Sequence, residues 1–223
     1  MSQFGLPFDW PAQEDTSDFI ITSANADAVR HLESWGRWPV CATLLVGPRK
    51  SGRSLLGRIF AARFNGTFLD DADQRPEADV FHAWNRAQET RVPLLIVAER
   101  PPPEWAIRLP DLRSRLSATP VVRLNDPDPA LSEALLVKLL GKRGLALLPD
   151  IARYAAYRLE RSYIAIERAA DAIDAASLSQ KRGISLPLVR QALERAGLID
   201  KGSDQHEQPT DTTDQDGGRH AIW

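Results

Sequence analysis

Four short apolar runs stand out from a polar background, at residues 42–46, 66–69, 93–98 and 120–124. Three of them carry Val, Ile or Leu at consecutive positions, without the polar alternation of a half-wetted strand, and so predict strands buried on both faces. Between them, residues 26–35, 53–64 and 77–90 follow a helical period. Helix alternating with strand predicts a parallel sheet covered by helices on both sides. After Asn125 the pattern changes, and Pro127 and Pro129 open an all-helical remainder at 130–143, 149–159, 163–179 and 186–196. Ser162 and Ser185 stand where N-caps belong, and Gly144 and Gly197 where helices stop. The expected architecture is an α/β domain followed by a small helical bundle.

Composition changes this picture at the ends. Residues 201–218 are largely Asp, Gln, Thr and Gly with almost no apolar side chain, too little to offset the entropy of ordering, so this stretch is expected to be disordered. Trp223 beyond it has no partner visible in the sequence. A chain of 223 residues suits one ordinary domain plus a small second one. Its 28 Lys and Arg nearly balance 30 Asp and Glu, for a net charge of −2, which excludes an overall pull towards nucleic acid or anionic membrane. The distribution is uneven, because the first 29 residues hold five acids and no Lys or Arg, and residues 199–223 hold six acids against Lys201 and Arg219. The stretch between them is therefore at +7 and rich in Arg. Cys41 is the only cysteine, which rules out an internal disulfide or a multi-thiolate metal site and fits a reducing compartment. No apolar run approaches the ~18–20 residues of a membrane span, and the N-terminus lacks the basic-then-apolar order of a signal peptide, so a cytoplasmic location is expected.

Two segments carry candidate chemistry. Gly47 to Ser54 reads G-P-R-K-S-G-R-S, a G-x4-G-[K/R]-[S/T] spacing that follows an apolar strand and precedes a helix. In a phosphate loop the glycines turn backbone N–H groups onto phosphate, a Lys reaches the terminal phosphates and a hydroxyl holds Mg²⁺. Gly47, Lys50, Ser51, Gly52, Arg53 and Ser54 are thus candidate nucleotide-binding residues. Arg53 occupies the position of the expected Lys, keeping the charge in a planar, bulkier form. The competing reading is an ordinary glycine turn between strand and helix. Asp70 and Asp71 end the run 67–69, where one carboxylate would hold Mg²⁺ and its neighbour polarise water; an Asp-rich solvated turn explains the same residues.

The order of segments 18–25 (D-F-I-I-T-S-A-N), 47–54, 69–71 (L-D-D), 94–102 (L-L-I-V-A-E-R-P-P) and 109–116 (L-P-D-L-R-S-R-L) resembles the DnaA-type AAA+ ATPases. Within that family it is most similar to the Hda-type regulators of DnaA, over about residues 3–197. The resemblance implies a shortened AAA+ three-layer parallel sheet over residues 19–125 and a helical lid over 126–198, flanked by a peptide and linker at 1–18 and an acidic tail at 199–223. It implies a nucleotide, ADP or ATP with Mg²⁺, with Phe19 and Ile20 near the base. It gives Gln3, Leu6, Pro7 and Phe8 the look of the short peptide that docks on the DNA polymerase III beta sliding clamp; the alternative is that Leu6, Phe8 and Trp10 fold back on their own domain. It makes Arg115 the arginine finger presented in trans to a neighbouring ATPase, with Arg113 an assisting or merely solvated charge.

Three departures limit what the resemblance implies. Arg53 replaces Lys. Ile164 stands where the family brings a sensor Arg to the nucleotide, with Arg161 and Arg168 nearby but out of register. The spacing from Ser54 to Asp70 is too short for a helix, strand, helix and strand: either an intervening strand and helix are missing and Asp70 and Asp71 lie on the acidic strand, or 66–69 is the second strand and the acidic one is lost. The expected function is therefore an Hda-like regulator that binds the clamp and promotes hydrolysis of ATP on DnaA, preventing over-initiation, rather than an efficient ATPase. An autonomous AAA+ loader or chaperone and a nucleotide-free adaptor on the clamp are the alternatives. With a polar tail after residue 197, no DNA-reading helix is expected, and direct DNA binding is not expected either.

Overall fold

The structure, a computed structural model, describes residues 19–180 and 183–200. Gln3, Leu6, Pro7, Phe8, the tail from residue 201 and Trp223 lie outside the described residues. Strands β1 (Ala42–Val46), β2 (Thr67–Leu69), β3 (Leu94–Ala98) and β4 (Val121–Arg123) form one parallel sheet in the order β2-β3-β1-β4. Leu44 of β1 lies opposite Ile96 of β3 and Val121 of β4. The two central strands are buried along their whole length, as their continuous apolar runs predict. The outer strands are shorter than the runs that predict them and partly exposed, since each has one neighbour and is not covered completely on both faces.

Alternate residues of β1 and β3 feed two cores. Leu44, Val46, Leu94, Ile96 and Ala98 pack with Val80 and Ala87 of α3 (Glu77–Thr90) and Leu112 and Leu116 of α4 (Pro110–Ala118). Leu45, Leu95 and Val97 pack on the other face with Val29 and Leu32 of α1 (Ala26–Glu33) and Leu56 and Phe60 of α2 (Arg53–Phe64). Burying one such side chain contributes about 1.5–3 kcal/mol, so this two-sided packing, not helix propensity, holds the layers together. The helix α4 is not anticipated by the sequence reading, although Pro110 at its first turn and the Leu112–Leu116 pair mark it.

The lid is α5 (Pro129–Gly141), α6 (Pro149–Arg158), α7 (Tyr163–Gln180) and α8 (Leu186–Arg195), with its own core of Leu136, Leu140, Ala155, Ile166, Ala169, Ile173, Val189 and Leu193. Ser162 caps α7, its Oγ accepting the Ala165 N–H at 3.1 Å. Ser185 does not act as expected: it occupies the N-cap position of α8 without a side-chain cap bond. Gly144 and Gly197 stand at positive φ just past α5 and α8.

Candidate functional site

The turn after β1 sits where β1 lies between β3 and β4, so the C-terminal ends of three strands converge around it. Such a point of an α/β sheet opens a crevice, because the connecting chains leave in opposite directions. Here the crevice is a cleft of about 840 Å³ between sheet and lid. Gly47, Pro48 and Arg49 form one side, Glu99 and Arg100 follow β3, Arg123 ends β4 and Leu124 to Asp128 follow it, and Arg161 to Ile164 come from the lid.

The loop is a tight turn. Lys50 adopts φ +67° and Gly52 φ +87°, the left-handed backbone that glycine tolerates without strain. A Cβ on Gly47 would lie 2.9 Å from both the Cβ and the carbonyl oxygen of Leu124, so only glycine lets β1 leave the sheet this close to the chain following β4. The ring of Phe19 lies over Gly52, where a Cβ would meet its Cε2 at 3.2 Å, while Ile20 packs away from the loop against Ala24, Leu131 and Tyr163. The Ser51 N–H donates to the Pro48 carbonyl at 3.3 Å. The Ser51 Oγ and Arg53 Nη1 are buried without a hydrogen-bond partner. Ser54 follows Arg53 in the first turn of α2. A buried, unpartnered guanidinium nitrogen at the start of a helix is an anion-binding arrangement, because helix N–H groups and the cation attract the same charge. Lys50, in contrast, turns to the lid and pairs with Glu167 at 3.1 Å.

Lid and sheet meet on one side of the cleft. Tyr163 is buried with Ala24 and Leu131, and its hydroxyl donates to the Asn125 carbonyl at 2.9 Å. Burial pushes this phenol up to about 12, with the charges of Asp126 and Asp128 adding to the shift. Asp128 caps α5 through the Leu131 N–H at 2.7 Å and accepts the Ser23 hydroxyl at 2.6 Å. Burial works to raise its pKa, but the hydrogen bonds from Ser23 and the Leu131 N–H outweigh it and leave the carboxyl below its ordinary value. The Lys50–Glu167 pair is largely solvated and contributes at most about 1 kcal/mol, so the apolar contact and the Tyr163 bond dominate the junction. Ile164 lines the cleft and Arg161 joins it, whereas Arg168 reaches away to the Ala196 carbonyl at 3.4 Å.

Asp70 and Asp71 follow β2, an edge strand separated from β1 by β3. The chain runs from α2 to β2 with no strand or helix in between, which is the shortening that the spacing implies. The Asp70 carboxylate accepts the Asp71 N–H at 3.1 Å, Asp71 is exposed at φ +47°, and neither lines the cleft. Among the described residues no cluster of three or more His, Cys, Asp or Glu is arranged to hold a metal. The unpartnered Ser51 Oγ and Arg53 Nη1 suit a phosphate-like anion, although Ser51, Arg53 and Ser54, like Asp70 and Asp71, are not among the residues that line the cleft.

Arg115 is not among the residues that line the cleft. It is half-buried on α4, with its guanidinium 4.4 Å from the ring centre of Phe81 and 5.2 Å from that of Trp84. Its Nε donates to Asn85 Oδ1 at 2.8 Å, which leaves both Nη groups without a hydrogen bond among the described residues. Arg113 is committed locally, donating from Nε and Nη2 to the Ile107 carbonyl. That Phe81, Trp84 and Asn85 would cradle Arg115 was not anticipated from the sequence, although their spacing of three and four residues on α3 places them on one helix face.

Residues 132–193 match the family model for the Hda lid domain. Among solved structures the chain is similar to domain III of the Thermotoga maritima replication initiation protein DnaA, with a TM-score of 0.66 at 15% identity, covering 86% of this chain and 100% of that one. A DNA replication initiation factor follows with 0.59 at 15%, covering 74% and 66%. The Thermotoga maritima RuvB Holliday junction branch migration motor gives 0.54 at 15%, covering 77% and 68%. At these identities the likeness shows the fold, a parallel α/β sheet followed by a helical lid, and residues 132–193 are similar to the Hda lid domain. Among the described residues no helix is long and apolar enough to cross a membrane.

Proposed function

We propose that this chain restrains the initiation of DNA replication by acting on DnaA. It would dock on the sliding clamp through Gln3, Leu6, Pro7 and Phe8 and offer Arg115 to the ATP held by DnaA, promoting its hydrolysis in the cytoplasm. The observation that carries this reading is the state of Arg115. Its guanidinium rests against the rings of Phe81 and Trp84 and its Nε is bonded to Asn85, while its Nη groups make no hydrogen bond among the described residues, as a finger acting in trans requires. A preorganised cation of this kind stabilises charge developing on a transferred phosphoryl group, an effect of order 10³–10⁵ where measured. The Hda-like lid and the DnaA domain III fold support the choice of partner.

The chain's own loop plays a lesser part. Arg53 and Ser51 suit the phosphates of ADP or ATP, and Phe19 over Gly52 suits the neighbourhood of its base. Ile164 in place of a cationic side chain, Lys50 turned to Glu167, and Asp70 and Asp71 off the cleft disfavour Mg²⁺-dependent turnover by the chain itself. Arg115→Ala is expected to keep clamp binding in a pull-down and to lose at least about 10³-fold of the stimulation of DnaA-bound ATP hydrolysis. Unchanged stimulation by that variant would remove the reading.

A further inference from the structure

The helix that carries Arg115 is gripped by α3 at both ends. At its start, the N–H groups of Arg108 and Leu109 precede Pro110, which has no N–H of its own, and no helical carbonyl faces them. Both donate to one carboxylate, Arg108 to Glu77 Oε1 at 2.8 Å and Leu109 to Glu77 Oε2 at 2.6 Å. The Leu109 carbonyl in turn accepts the Arg113 N–H at 3.0 Å and so sets the first turn of α4. Arg113 pins the same stretch from the other side through the Ile107 carbonyl. At the far end, Trp84 Nε1 donates to Thr119 Oγ1 at 3.0 Å, and that hydroxyl donates to the Arg115 carbonyl at 2.8 Å. Arg115 itself leans on Phe81, Trp84 and Asn85 between these two holds.

We propose that Glu77 is a positioning residue for Arg115, fixing where α4 begins and hence where the guanidinium is presented. The inference rests on Arg115 acting in trans on DnaA. Two charge-assisted bonds from a single carboxylate hold two consecutive amides, a geometry that a neutral acceptor reproduces only in part. Without it the first turn of α4 is tied only by Arg113 and by packing, and the finger loses its fixed origin. A displacement of about 1 Å in a catalytic group costs on the order of 10²-fold in rate.

The test uses the intact chain with DNA-loaded clamp and ATP-bound DnaA, following hydrolysis of the DnaA-bound ATP over a series of chain concentrations. Glu77→Ala is expected to lower the maximal rate about tenfold with the half-maximal concentration within about twofold of the parent, the pattern of a lost transition-state interaction. Glu77→Gln, which keeps one acceptor oxygen, should fall between them, and supplies the reading if Glu77→Ala does not fold. Glu89→Ala, at an exposed position on the same helix, should behave as the parent. Hydrogen exchange should quicken at the amides of residues 108 and 109 in Glu77→Ala while the amides of β1 and β3 stay protected. A full maximal rate in Glu77→Ala beside an inactive Arg115→Ala overturns the positioning role and leaves the finger standing. A changed half-maximal concentration at full maximal rate also overturns it, because Glu77 would then belong to the docking surface. Full activity of Arg115→Ala removes both, and is recognised by that variant alone.

Discussion

Arg53 illustrates how one residue limits the chemistry of a whole loop. Its Nη1 is buried without a partner, so an anion at the helix start would relieve a desolvated donor, and the Ser51 hydroxyl is a second buried polar group without one. We expect ADP to raise the melting temperature of the chain, because a ligand that binds only the folded state stabilises it by RT ln(1 + [L]/Kd). The shift should vanish in Arg53→Met and persist when Mg²⁺ is replaced by EDTA, as read by differential scanning fluorimetry. A shift that depends on Mg²⁺ would mean that the Ser54 hydroxyl or a carboxylate holds the ion beside the nucleotide. These expectations were only half legible from the sequence. The spacing of Gly47, Gly52 and Ser54 marks the loop, but that Lys50 turns to Glu167, 117 residues on, follows from where α7 packs.

At the level of elements, caps decide more than periodicity does. Ser162 and Ser185 look alike in the sequence, yet one bonds the Ala165 N–H and the other makes no cap bond. A cap needs the backbone to approach at a particular angle, and that angle is set by neighbouring helices rather than by the residue itself. Asp128 was overlooked as a cap, and it joins α5 to the Ser23 turn as well as to the Leu131 N–H. Asp128→Ala is expected to destabilise the protein by about 1 kcal/mol, within 0.5–2, in urea melts at neutral pH. Because the folded carboxyl lies below its ordinary value, this contribution is present above the unfolded pKa and fades as the pH falls through the folded one. The difference between parent and variant should therefore shrink in acid. The helix α4 escaped the sequence reading for a related reason: only two of its residues, Leu112 and Leu116, are buried, so its periodic signal is short and its start is defined by Glu77, which lies 32 positions before Leu109.

For the whole molecule the question is what keeps lid and sheet together. The solvated Lys50–Glu167 pair contributes little, whereas Tyr163 buries its ring against Ala24 and Leu131 and ties its hydroxyl to Asn125. Since folding raises the Tyr163 pKa to about 12, its contribution is complete below the unfolded value of about 10 and is lost as the pH rises through the folded value. Alkaline titration should expose the junction to proteolysis sooner than either core, and Tyr163→Phe should remove that pH dependence; equal loss in the variant would locate the weak point elsewhere. The sequence alone determined the order of the strands and of the helices other than α4, the burial of β1 and β3, the glycine turn after β1 and the change to an all-helical lid after Asn125. Each of these depends on residues near one another along the chain, where periodicity and turn chemistry act. Only the tertiary structure decided that Asp70 and Asp71 sit away from the cleft, that Arg161 but not Arg168 joins it, and that Arg115 rests on Phe81, Trp84 and Asn85. Those outcomes turn on the order of strands in the sheet and the face each helix presents, which arise from burying several apolar surfaces at once and are written in no single stretch of the chain.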